Sequence, residues 1–241
     1  MITVPWARWC PNLPRQALVA LATLLAPLLL AGASLAHNVT EGDAGYVQEV
    51  TGFRPAAFIY LGAKHMVTGY DHLLFLAGVV FFLYRSRDIA TYVSIFAIGH
   101  SVTMIAGVWW SISINAHIID AIIAFSVVYK ALDNLGAFRL WFGVQPNTKA
   151  ATLIFGLLHG FGLATKIQDY DISPDGLLGN LIAFNVGVEL GQLMALALIL
   201  TAMTQWRVRP AFARQAYAAN VLMMVAGFAL MGLQITGYFV A

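Results

Sequence analysis

Six long apolar segments decide what this chain can become. They lie roughly at 71–84, 89–110, 117–135, 149–166, 177–205 and 215–239, and most approach the ~20 residues an α-helix needs to cross a bilayer. The first is short when counted from Asp71, and reaches full length if 56–61 joins it or re-enters beside it. In hydrocarbon every backbone polar group has to be satisfied within the protein, so runs of this length are helices. They are too long, and alternate too little, for a barrel. Composition agrees: 60% of the 241 residues are apolar and 10% are charged, against about 25% charged in a soluble domain. So hydrophobic a chain is not disordered. Its 13 Lys and Arg are scattered singly and form no basic stripe, which argues against a nucleic-acid partner. The single cysteine, Cys10, excludes a disulfide framework and a thiolate metal cluster. The expectation is an all-α polytopic membrane bundle with the lipid bilayer as its solvent.

The N-terminal residues read as an export signal. Arg8 and Arg15 precede an Ala/Leu-rich run from Gln16 to Gly32, and Ala33-Ser34-Leu35-Ala36 follows with small residues where signal peptidase reads. Cleavage after Ala36 leaves His37 first; the alternative is an uncleaved first helix. The expected organisation is a signal peptide at 1–36, a tail at 37–55 and a six-helix transmembrane domain at 56–241. Charge then orients the spans. Arg85, Arg87, Lys130, Arg139, Lys149, Arg207, Arg209 and Arg214 fall on one side, and only Arg54, Lys64 and Lys166 on the other. The positive-inside rule makes the first side cytoplasmic. Both ends of the mature chain are then periplasmic, in a bacterial inner membrane.

Charged groups at membrane depth cost about 2.5–3.5 kcal/mol each on insertion scales, so they line cavities or meet partners. Here they are Asp71, His72, His100, Asp120, His159 and Glu189, accompanied by Asn185 and Gln192. His65, Asp71 and His72 form the densest group. On an unbroken helix His65 and His72 stand two turns apart, about 10 Å, too far to share an ion. Gly69 offers a break that brings them together. Imidazole with carboxylate suits a divalent first-row metal such as nickel, cobalt, copper or zinc; the bland alternative is an Asp71 helix cap beside an interface histidine. His100 is followed by Ser101. His159 lies between Gly156 and Gly160, a small-xxx-small face that lets helices approach closely. Asn185, Glu189 and Gln192 recur at i, i+4 and i+7 on one helical face, with Gly187 and Gly191 as another small pair.

These strings resemble the HupE/UreJ family of bacterial membrane proteins. The matching pieces are His65-x5-Asp71-His72-Leu73-Leu74-Phe75-Leu76, Ile98-Gly99-His100-Ser101-Val102-Thr103, Asp120 through Ser126, Phe155-Gly156 through His159-Gly160-Phe161-Gly162, and Phe184-Asn185 through Glu189-Leu190-Gly191-Gln192. The resemblance implies an inner-membrane protein with a signal peptide that moves nickel or cobalt, with His65, Asp71 and His72 as the outer capture residues. One departure is Asp120, where relatives carry the longer Glu.

Two expectations follow for function. The leading one is a divalent transition-metal permease. The ion is captured at His65, Asp71 and His72, held by His100, His159 and Glu189, and passed along Ser101, Asp120, Asn185 and Gln192. The alternatives are an accessory or metal-sensing subunit of a larger membrane complex or homo-oligomer, and an intramembrane metalloenzyme. No HExxH, GxSxG, phosphate loop or CxxC supports the last of these.

Overall fold

The computed structural model describes residues 51–168 and 174–240. The expected signal peptide, its cleavage site, His37 and most of the 37–55 tail lie outside the described residues. Within them the chain is helical, without strands. The elements are α1 (Pro55–Thr68), α2 (Tyr70–Val80), α3 (Ser86–Trp109), α4 (Ala116–Asn134), α5 (Ala137–Phe142), α6 (Thr148–Gln168), α7 (Leu177–Arg207) and α8 (Phe212–Val240). Four of these, α3, α6, α7 and α8, are long and apolar enough to cross a membrane. The helix α4 runs 19 residues but carries Asp120, Lys130 and Asp133.

The first apolar segment forms two helices, not one. Pro55 opens α1, where its missing N–H costs nothing. That helix stops at Thr68, Gly69 is extended (φ −74°, ψ 100°), and α2 begins at Tyr70. A Cβ on Gly69 would stand 2.6 Å from His72 Nδ1, so any side chain there would push the His72 ring out of place. Together α1 and α2 accompany α7 along its length. At one end Asn180 of α7 accepts from Arg54 N (2.8 Å) and donates to Gly52 O (3.0 Å). Further along, Gly187 meets Ile59 and Gly191 meets Ala63. At the other end Arg207 donates to Val80 O (2.5 Å) and Phe81 O (2.9 Å) and lies over the Tyr84 ring at 4.6 Å.

Arg207 thus adds a charged donor at the C-terminus of α2, to Phe81 O and to Val80 O, which also accepts from Leu83 N. Bonds to a charged donor contribute about 1.5–3 kcal/mol. Arg207→Ala is expected to lower the thermal unfolding midpoint of the purified protein by the equivalent of about 2 kcal/mol, with Arg207→Lys recovering part of it.

Helices pack in three close pairs, α3 with α6, α1 with α7 and α4 with α8. Each pair meets through glycine. Gly156 lies against the Phe96 carbonyl, Gly62 against that of Phe184, and Gly227 against the Val128 amide. Between helices in lipid, such close approach replaces the hydrophobic driving force that water would supply. Two lysines counted above with the connections sit inside helices. Lys130 pairs with Asp133 at 2.5 Å, one turn on in α4, and Lys166 of α6 pairs with Asp120 at 2.8 Å. Arg85 and Arg209 lie in connections, Arg139 in the short α5, and Arg87, Lys149, Arg207 and Arg214 in terminal turns of helices.

Candidate metal centre

The helix break makes the site. With Gly69 extended, His65 on the last turn of α1 returns beside the first turn of α2, and its ring stands 5.1 Å from that of His72. His72 is the hub of the group. Its ring lies 5.1 Å from His159 of α6 and 6.0 Å from His100 of α3. Four histidines and Asp71 therefore converge from α1, α2, α3 and α6. Asp71, His72 and His159 each offer a ligand atom, all within 4.8 Å of one another, and all three residues are buried. Small side-chain rotations bring such a set to the ~2.0–2.2 Å bonds of a first-row divalent ion.

Hydrogen bonds orient the donors. His159 Nδ1 lies 2.7 Å from the Phe155 carbonyl, one turn earlier on α6. A carbonyl only accepts, so Nδ1 carries the proton and the lone pair is on Nε2. His72 Nδ1 lies 3.1 Å from Asp71 Oδ1. A ring nitrogen held in this way by a carboxylate or carbonyl raises the basicity of the other nitrogen and fixes the ring plane. Aromatic rings wall the group: Phe96 is 5.0 Å and Phe75 5.5 Å from His159, and Phe184 is 6.0 Å from His65. An apolar wall lowers the local dielectric and strengthens every charge interaction inside.

His100 is the informative member. It is 1% exposed, and neither ring nitrogen has a hydrogen-bond partner among the described residues. An unsatisfied buried polar group costs about 1–3 kcal/mol. Packing alone gives no reason for an imidazole there, since an apolar side chain would fill the space at no such cost.

The remaining polar residues divide. Gln192 is buried, donates to Val93 O at 3.3 Å, and lines a small cavity of about 10 Å³ with His72, Phe75 and Phe96. That is room for at most one water molecule. Asn185 is buried and donates to Leu181 O at 3.3 Å. Ser101 is half-buried beside His100. Asp120 belongs to the Lys166 pair. Glu189 is not brought to the group. It is exposed on the outer side of α7, among Val186, Leu190 and Leu193, with no hydrogen bond or ion pair among the described residues. The i, i+4, i+7 stripe explains the split. Gln192 is about 20° from Asn185 around the helix, whereas Glu189 is about 40° away on the other side. The packing of α1 against α7 covers the first two and ends before the third.

Sequence reasoning missed three participants. The Phe155 carbonyl carries no side-chain signal at all. Phe75 and Phe96 read as ordinary apolar residues. Lys166 was legible in part: it follows His159 by seven residues and so shares its face of α6.

The family model described as HupE / UreJ protein matches residues 41–241. No curated protein and no solved structure matches the chain.

Proposed function

Because the chain belongs to the HupE/UreJ family, we propose that this membrane protein is a permease for a divalent transition-metal ion of the nickel and cobalt kind. The ion is cargo. His72, His159 and Asp71 hold it, with His65 and His100 completing the ligand set as it enters and leaves. Nitrogen-rich ligation favours nickel, cobalt, copper and zinc over magnesium and calcium. The observation that carries the reading is His100, a fully buried imidazole without a hydrogen bond among the described residues, 6.0 Å from the ring of His72.

In this reading the broken α1–α2 segment, α3, α4, α6, α7 and α8 supply six spans, and the arginine-rich end faces the cytoplasm. The break at Gly69 then falls at membrane depth. Discontinuous helices serve transporters there, because irregular backbone beside a cavity presents side chains and helix ends to an ion. The expected residence is the bacterial inner membrane with both mature termini periplasmic. Gln192 and the cavity beside it mark the direction of exit. Asn185 sits beside the route through α7, and Ser101 and Glu189 have no role at the cluster.

The test is metal content of the purified protein, followed by flux of nickel, cobalt, copper and zinc into liposomes containing it. Bound metal with selective flux is the expected result. Tight stoichiometric metal without flux would move the protein to the sensor or metalloenzyme class. His100→Leu separates ligand from packing residue. The thermal midpoint should hold or rise, since an unsatisfied polar group is replaced by an apolar one. Cobalt affinity should fall at least tenfold. A variant that melts earlier and binds cobalt normally would make His100 structural.

A further inference from the structure

Lys166 and Asp120 form an ion pair inside the bundle, with side chains 11% and 6% exposed. A buried ion pair is weak evidence for stability, because desolvation offsets much of its attraction and apolar pairs often replace it without loss. Its geometry is unequal. Lys166 Nζ lies 2.8 Å from Asp120 Oδ2. Asp120 Oδ1 is also buried, yet no hydrogen bond reaches it among the described residues. That oxygen lies 3.8 Å from where a Cβ would stand on Gly162. His159, Gly162 and Lys166 follow i, i+3 and i+7 and share one face of α6. The open oxygen, beside Gly162, is therefore about one turn along α6 from His159 on the same face, and the Lys166 backbone is about one turn farther out. Ile119 and Ile123 pack around it at Gly162.

We propose that Asp120 is a second cation subsite, one helical turn from the histidine cluster toward the Gly52–Gly176 end, and that the Lys166 ammonium is its tethered resident cation. This rests on the permease reading of the cluster. An ionised carboxylate in an apolar wall needs a counter-cation. Lys166 supplies one when no ion is passing, and yields it transiently to a divalent ion on its way to the imidazoles. The ammonium then withdraws along its flexible stem toward the end of α6. Oxygen ligation binds the ion more loosely than the imidazoles beyond, so the ion moves inward and Lys166 returns. Exchange against a bound ammonium also discriminates. A monovalent ion gains nothing over the lysine it must displace, whereas a divalent ion does. Lys166 is thus a selectivity residue that never ligates the metal.

The probe is Co²⁺, by equilibrium dialysis against the full-length protein in phospholipid nanodiscs. Wild type is expected to bind one equivalent. Lys166→Met removes the resident cation at similar volume, and a second equivalent is expected. The double variant Asp120→Asn, Lys166→Met should return to one. A Lys166→Met protein identical to wild type in both stoichiometry and affinity overturns the proposal, as does a double variant that keeps the second equivalent. Lys166→Arg retains the ion pair and so protects the fold. A guanidinium binds a carboxylate through both oxygens at once and stays charged. It should leave the cluster's single equivalent in place and slow Co²⁺ entry into liposomes at least tenfold; unchanged entry also overturns the proposal. The two readings fail differently. Loss of the wild-type equivalent removes the cluster, whereas one equivalent appearing only in Lys166→Met leaves the Asp120 subsite standing alone.

Discussion

His72→Ala should abolish nickel and cobalt accumulation in cells expressing the protein, to the level of cells lacking it. Among the described residues His72 is the one whose ring neighbours three other histidines, at 5.1 Å from His65 and His159 and 6.0 Å from His100. Its removal takes a ligand, breaks the contact that orients Asp71, and opens a gap in the middle of the group. Loss of one ligand-orienting partner alone typically costs 10–100-fold in metal affinity. Loss of the ligand itself should exceed that, and dialysis against Co²⁺ should show at least a hundredfold weaker binding. The fold should survive, because the helices meet through glycine contacts elsewhere. Retained accumulation in His72→Ala at normal expression would remove the permease reading. His72→Gln is a useful companion, since it keeps polar bulk without an imidazole and should fail in the same way.

Gly160→Ala should be among the most damaging single-methyl additions within the described residues. A Cβ at Gly160 would collide with the His100 carbonyl and with Thr103 Oγ1. Neither can yield easily. The carbonyl belongs to the α3 backbone, and Thr103 donates to Leu157 O at 2.6 Å across the same interface. The helices α3 and α6 would have to separate. Overpacking in a tight interface costs about 1–3 kcal/mol, and more where backbone must move. The same separation carries His100 away from His72 and His159. The expected result is a thermal midpoint lowered by the equivalent of about 3 kcal/mol or more, together with cobalt binding weakened at least tenfold. The control is Gly232→Ala in α8. A Cβ there meets nothing within 4 Å. Because alanine forms helix better than glycine, stability should hold or rise by up to about 1 kcal/mol. Equal behaviour of the two variants would show that the α3–α6 contact is not tight.

Much of this was legible in the chain itself. Long apolar runs have one solution in lipid, so the helices and their approximate limits followed from length. The spacing of His65 and His72 around Gly69 told of a break, because two turns of helix would have kept those imidazoles apart. The glycines at 156, 160, 187 and 191 marked close helix contacts, since only a missing side chain allows backbone to touch backbone. Those inferences are local: each depends on a few neighbouring residues and a fixed helical geometry.

What covers a helix face is not local, and there tertiary structure decided. Periodicity put Asn185, Glu189 and Gln192 on one stripe, but the edge of α1 buries the two outer members and leaves Glu189 outside. Asp120 read as a free acid beside the route until α6 delivered Lys166 to it from 46 residues away. His100 read as one candidate ligand among several, and stood out only once the described residues around it supplied no hydrogen bond. A sequence specifies which direction each side chain leaves its own helix to within some tens of degrees. The order in which helices pack, and the depth at which they cross, determine whether that direction ends in lipid, in an ion pair or at the cluster.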